Sequence, residues 1–342
     1  MKNRFTYLIP VIIYCVITAN MMITGCTKEG PVGPQGADGQ DASESCTSCH
    51  NFSEFLLEKI NQHNNSVHAS GNNINRSGDG CAICHTSQGF TKFLADGTTG
   101  AVQNPNPINC RTCHPIHESY DAAKDFNVRT AAAVTMTVGG GSYDFGNSNL
   151  CANCHQARAI TPYPVAGGDN ITITNARYGP HYSPQSNVLI GNGPFEIPGA
   201  LQYTNSPHGQ IEDGCITCHM GNTANGLAAG GHQMNVTYTG SNGNEAWNYS
   251  GCTECHPSAT DLATLRAQHR EEIKTLQYAL RDKLIEKGLL NASELVPVPK
   301  TVTPNEAGAI MNYKFAYGDH SYGAHNYPYM KALLTNSIAA LN

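Results

Sequence analysis

The chain has 342 residues, 13% of them charged, and a formal net charge of −6. That balance supplies no basic face of the kind nucleic acid requires. Thirty-four glycines and 18 prolines describe a loop-rich chain with a thin apolar core of its own.

The N-terminus reads as an export signal. Met1-Lys-Asn-Arg4 is a short basic region, Phe5 to Ile23 is apolar, and Ile23-Thr-Gly-Cys26 closes the run. An uncleaved anchor helix would have nearly the same length, but the Gly-Cys junction at the end of the run favours a lipoprotein signal. We read 1–25 as the signal peptide and Cys26 as the lipidated first residue of the mature chain. Losing Lys2 and Arg4 takes the net charge from −6 to −8. In 26–45, Gly30, Gly33, Gly36 and Gly39 fall every third residue, as in collagen. Four triplets are too short to hold a triple helix, and the segment reads as a tether.

From 46 to 256 one pentapeptide recurs. C-x-x-C-H occurs six times, with cysteine pairs Cys46/Cys49, Cys81/Cys84, Cys110/Cys113, Cys151/Cys154, Cys215/Cys218 and Cys252/Cys255. The histidines that follow are His50, His85, His114, His155, His219 and His256. With 15 histidines in the chain, six of six pairs would be followed by one roughly once in 10⁸ by chance. Zinc sites use C-x-x-C pairs but do not need the adjoining histidine, and neither do disulfides. The pattern is the attachment signal for c-type haem: two thiols add to the haem vinyl groups and the histidine becomes an axial iron ligand. Six haem c groups are therefore expected. Twelve of the 14 cysteines are used, and Cys15 leaves with the signal.

Local patterns between the motifs are few. Phe52, Phe55, Leu56 and Ile60 predict a short helix over 51–62. Gly139-Gly-Gly141 marks a loop or a small hairpin. The gap between His155 and His219 is rich in Pro, Gly and Asn, and reads as irregular backbone wrapped around haems. Motifs two and five share a preceding Asp-Gly and an upstream Ser-x-His, and motifs three and six continue into proline, which hints at two three-haem halves. From 257 the composition changes. Leu262, Leu265, His269, Ile273, Leu276, Leu280 and Leu284 predict a long helix over 261–290, and a shorter one is expected over 327–341.

Nine histidines lie outside the pentapeptides: His63, His68, His117, His181, His208, His232, His269, His320 and His325. His117 stands three residues after His114. It cannot reach the far side of the same haem but can ligate a neighbour. Ser66-Val-His68 matches the setting of His208, which favours His68 over His63. His269 lies on the apolar face of the long helix and reads as a core histidine.

The chain resembles multihaem c-type cytochromes of the outer-membrane and periplasmic electron-transfer kind. Gly179-Pro-His181-Tyr-Ser-Pro-Gln, Ser206-Pro-His208-Gly and Gly230-Gly-His232 look like distal-ligand segments of that group. Asp319-His-Ser-Tyr-Gly-Ala-His325-Asn resembles its closing motif, in which the histidine before Asn is the ligand. The resemblance implies distal iron ligands at His181, His208, His232 and His325; His68 and His117 complete the set. A methionine ligand at Met136, Met220, Met234, Met311 or Met330 stays open, as does the pairing of ligands with haems.

The expected fold is a multihaem cytochrome: loop-rich, low in β structure, with short helices wrapped around a haem chain and a helical cap over 257–342. The expected function is electron transfer across or beyond the envelope rather than catalysis. The resemblance implies redox proteins or an extracellular acceptor such as a metal oxide as partners. Thr27, in place of Asp after the lipidated Cys, favours an outer-membrane lipoprotein. Two alternatives stay open: a reductase with one open haem, and a subunit of a cytochrome filament.

Overall fold

The computed structural model describes residues 50, 54–70, 74–98, 100–224 and 228–342. The export signal, Cys26, the glycine-rich tether, Cys46 and Cys49 lie outside the described residues. Among the described residues, no helix is long and apolar enough to cross a membrane.

The N-terminal part is built from short pieces. Helix α1 spans Glu54–Asn64 and α2 spans Ser87–Asp96. Thr86 caps α2 by accepting from Gly89 N, and Gly97 ends it at φ +72°. Strands β1 (Val134–Thr135) and β2 (Ser142–Tyr143) form an antiparallel hairpin. Its turn is Gly139–Gly141, all three residues at positive φ, the conformation glycine adopts without a steric penalty. Strand β3 (Ile171–Ile173) and helix α3 (Gln185–Ile190) follow. Next comes a second hairpin of β4 (Thr237–Thr239) and β5 (Glu245–Trp247).

The C-terminal part carries three long helices: α4 (Ala259–Glu286), α5 (Pro304–Asp319) and α6 (Tyr327–Ala340). Between α4 and α5, β6 (Lys300–Val302) pairs antiparallel with β3. Ser258 starts α4 by accepting from Asp261 N. Its end is a Schellman motif. Gly288 sits at φ +62°, Gly288 N bonds Ile285 O, Leu289 N bonds Leu284 O, and the Leu284 and Leu289 side chains are both buried. The three helices pack on one another, and α3 packs on α5.

Two expectations are corrected here. First, the core is not thin. Ile273, Leu280 and Leu284 of α4, Ile310 and Phe315 of α5, and Leu333 and Leu334 of α6 are essentially fully buried in one apolar cluster. The leucines are concentrated after residue 260, so whole-chain composition dilutes them. Second, the 155–219 gap is not irregular wrapping alone. Ile173, Tyr178, Val188, Phe195 and Ile197 are buried in that same cluster. Asn312, fully buried, holds the segment by accepting from Phe195 N (3.0 Å) and donating to Phe195 O (2.8 Å). Helix α5 was not read from sequence. It is buried nearly all round and so lacks an amphipathic stripe. Its start was legible: Thr303 and Glu306 form a capping box with Pro304 at the first turn.

Candidate functional site: six facing histidine pairs

Each described C-x-x-C-H forms about one helical turn. The amide of the histidine bonds the carbonyl of the first cysteine at His85 (3.3 Å), His114 (2.9 Å), His155 (2.9 Å) and His256 (2.8 Å). A helical turn places residues three apart on one side, so both thiols and the imidazole of a motif address the same space. In motifs two and five the preceding glycine makes the entry. Gly80 and Gly214 sit at φ +72° and +43°, which is why both motifs follow Asp-Gly. None of the ten described motif cysteines is in a disulfide.

Every motif histidine faces one histidine from outside the motifs. The ring centroids lie 6.0 Å apart for His50–His117, 6.1 Å for His155–His68 and 6.4 Å for His85–His181. They lie 6.1 Å apart for His114–His232, 6.3 Å for His256–His208 and 6.3 Å for His219–His325. These separations are too wide for ring contact and are nearly uniform. A metal–imidazole bond of about 2.0 Å on each side, plus about 1.1 Å from each nitrogen to its ring centre, spans roughly 6.2 Å. One six-coordinate iron fits between each pair. Five of the six pairs line a single cavity of about 2530 Å³.

The other ring nitrogen is often held. Nδ1–H donates to a backbone carbonyl at His114 (Asn127 O, 3.0 Å), His208 (Ala324 O, 2.7 Å) and His219 (Met234 O, 2.9 Å). It donates to Gln185 Oε1 at His155 (3.2 Å) and meets Met234 Sδ at His68 (3.2 Å). Each such bond fixes the tautomer that leaves Nε2 with a free lone pair. Burial first, then the facing ring, holds His68 and His232 down to about 4, so both are neutral at pH 7. His325 differs. Burial pushes its ring pKa down, but the Asp319 carboxylate at 2.6 Å from Nδ1 outweighs that and raises it.

Two of the facing histidines are held in strained backbone. His117 and His181 sit at φ +66° and +72°, which costs a non-glycine residue roughly 1–2 kcal/mol. Two others are stapled together. Asn326, next to His325, accepts from Ser206 N (2.9 Å) and donates to Asn205 Oδ1 (2.8 Å) and Val188 O (3.1 Å). That fixes the His208 loop against the His325 turn.

The remaining histidines take other places. His208 is near Cys215 in sequence but faces His256, not His219. His63 lines the cavity with a buried Nε2 that has no hydrogen-bond partner. His269 stacks on Tyr327 with centroids 3.5 Å apart. His320 is exposed at the end of α5. Asp319 was legible only as part of the closing motif, and Met234, open as an iron ligand, instead meets His68 Nδ1; sequence reasoning missed the cations Lys59, Arg76, Arg158, Arg177, Arg266 and Arg270 along the cavity wall. The cations carried no signal because they are scattered over 200 residues of a net-acidic chain.

No family model matches the chain, and no curated protein does. The crystal structure of the outer cell wall cytochrome OcwA matches with a TM-score of 0.52 and 22% identity over 83% of this chain and 50% of that one. This chain shares that fold. It spans half the length of that cytochrome.

Proposed function

We propose that the chain is an exported electron-transfer protein that holds six haem c groups, each iron between one motif histidine and one distal histidine. The observation that carries this reading is the facing of all six motif histidines by six different outside histidines at one near-constant separation. The cofactor supplies one-electron chemistry at iron; the chain supplies ligands, burial and charge. Cysteine pairs fix each ring at an edge. Two imidazoles keep the iron six-coordinate, and bis-histidine ligation gives a lower potential than His/Met. The cations along the cavity wall match haem propionates in charge. The α4–α6 bundle, which contributes Leu262, Leu265, His269 and the 319–328 turn to the cavity wall, acts as the cap.

Six sites on about 300 residues leave little protein between neighbours, so the array serves to pass electrons through the molecule. The likeness to an outer cell wall cytochrome and the Gly-Cys26 junction support placement at the outside of the envelope on a lipid anchor. Partners are then redox proteins or an external acceptor such as a metal oxide. The test is a haem count by pyridine haemochrome together with electron paramagnetic resonance of the oxidised protein. Six haems, all low-spin, are expected. Fewer than six, or a high-spin ferric signal, would overturn the reading.

A further inference from the structure

The contacts between the attachment sites are unequal. Number the sites by motif order, so that Cys151–His155 is site four. Site four meets site two directly: Cys154 Sγ lies 3.8 Å from Ile83 O, between the two cysteines of site two, and Arg158 Nη2 donates to Gly80 O at 2.7 Å. It meets site five as closely. Ser148 Oγ, just before site four, donates to Asp213 O and accepts from Ile216 N (3.0 Å) within site five. Tyr143, beside site four, places its hydroxyl 3.1 Å from Cys215 Sγ.

A three-residue segment brings in site three. His232 faces His114 of site three. Two residues on, Met234 touches Nδ1 of His68, which faces His155 of site four, and its carbonyl accepts from His219 of site five. Met234 holds φ +64° to do so.

The outer sites are attached singly. Site six touches site five through Cys218 and Cys252. There Gly251 lies so near the site-five backbone that a Cβ would collide with Thr217 O and sit 2.9 Å from Cys218 Cα. Site one reaches site three through the chain itself, since His117, which faces His50, follows His114 by three residues.

We infer that site four is the junction of a branched array: sites two and five join it directly, site three joins it through the His232–Met234 segment, site six is reached through site five, and site one through site three. Thioether carbons are part of the porphyrin edge, so motif cysteines in contact bring two haem edges together, and through-protein electron transfer weakens steeply with edge separation. An electron entering by one arm therefore has two exits, which a linear array lacks. The inference rests on the six-haem reading above.

The experiment uses the full haem-loaded protein and its variants in a stepwise reductive titration followed by electron paramagnetic resonance. His→Met at a distal position raises that haem's potential, so it is reduced first and its neighbours lose a paramagnetic partner. His68→Met, at site four, is expected to shift three low-spin signals at that first step; His208→Met, at site six, shifts one. Fewer than three signals for His68→Met, or as many for His208→Met, overturns the junction. If His68→Met does not load, His181→Met, His232→Met and His325→Met decide: one signal common to all three must move, and its absence overturns the inference. A high-spin signal or a low haem count in the unsubstituted protein would instead sink the six-haem reading.

Discussion

The two halves of the described structure are held together by different means. Around the facing histidines, from 50 to the end of the sixth motif, helices are mostly one or two turns long, and the interior is a cavity lined by thiols, imidazoles and cations. In the C-terminal half, α4, α5 and α6 close on one another and on 157–203 around an apolar cluster with fully buried Leu280, Phe315 and Leu333. One half has a core made of side chains. The other has the walls of a core whose filling must come from elsewhere. A small domain without enough apolar burial needs cross-links or cofactors to hold a fold, and the covalent haem proposed above would meet both needs.

The largest test of this contrast is to withhold haem. In a chain expressed without haem attachment, residues 50–130 should be cut rapidly by protease, while 157–203 and 259–342 should persist as protected fragments by mass spectrometry. Equal protection of both halves would break the comparison. Next in size, Leu280→Ala opens a cavity in the side-chain core and should cost about 2–5 kcal/mol in denaturant unfolding, with the haem spectrum unchanged. An altered spectrum would mean the two halves are not separable in this way.

Where the C-terminal half meets the cavity, Asp319→Asn sharpens the picture. Its buried carboxylate accepts from His325 Nδ1 at 2.6 Å and from Ser321, making His325 the most electron-rich of the facing imidazoles and favouring ferric iron. If losing it costs the 10–100-fold typical of such outer partners, one midpoint potential should rise by about 60–120 mV in a spectroelectrochemical titration. Six unchanged potentials would remove Asp319 from the tuning. The smallest effect belongs to the hairpin. Gly140 sits at φ +67° with open space around it, so Gly140→Ala should cost only about 1–2 kcal/mol of backbone strain. A larger loss, measured by thermal unfolding, would show that this turn supports more than itself.

What was legible followed from local rules. C-x-x-C-H needs one turn of chain to bring two thiols and an imidazole to one face, so the motif can be read wherever it stands. The long helix over 261–290 announced itself by leucine spacing and ended where its glycine stood. The hairpin at Gly139–Gly141 required positive φ, and glycine showed it. A helix such as α5, buried on every side, hides its own periodicity, and the apolar segments of 155–219 were masked by prolines and glycines that shape turns between buried residues.

The partners across each gap were a different kind of fact. Nothing in a five-residue motif says that His155 will meet His68, 87 positions earlier, or that His208 will pass over the nearby His219 for His256. Those meetings depend on where backbones cross, and the crossings are set by positive φ at His117, His181 and Met234 and by Asn326 bridging two loops. The sequence by itself determined which groups this chain presents and the chemistry they suit, because that is written in residue type and short spacing. Only the tertiary structure decided which groups face one another and which sites touch, because those distances are closed by contacts between residues far apart along the chain.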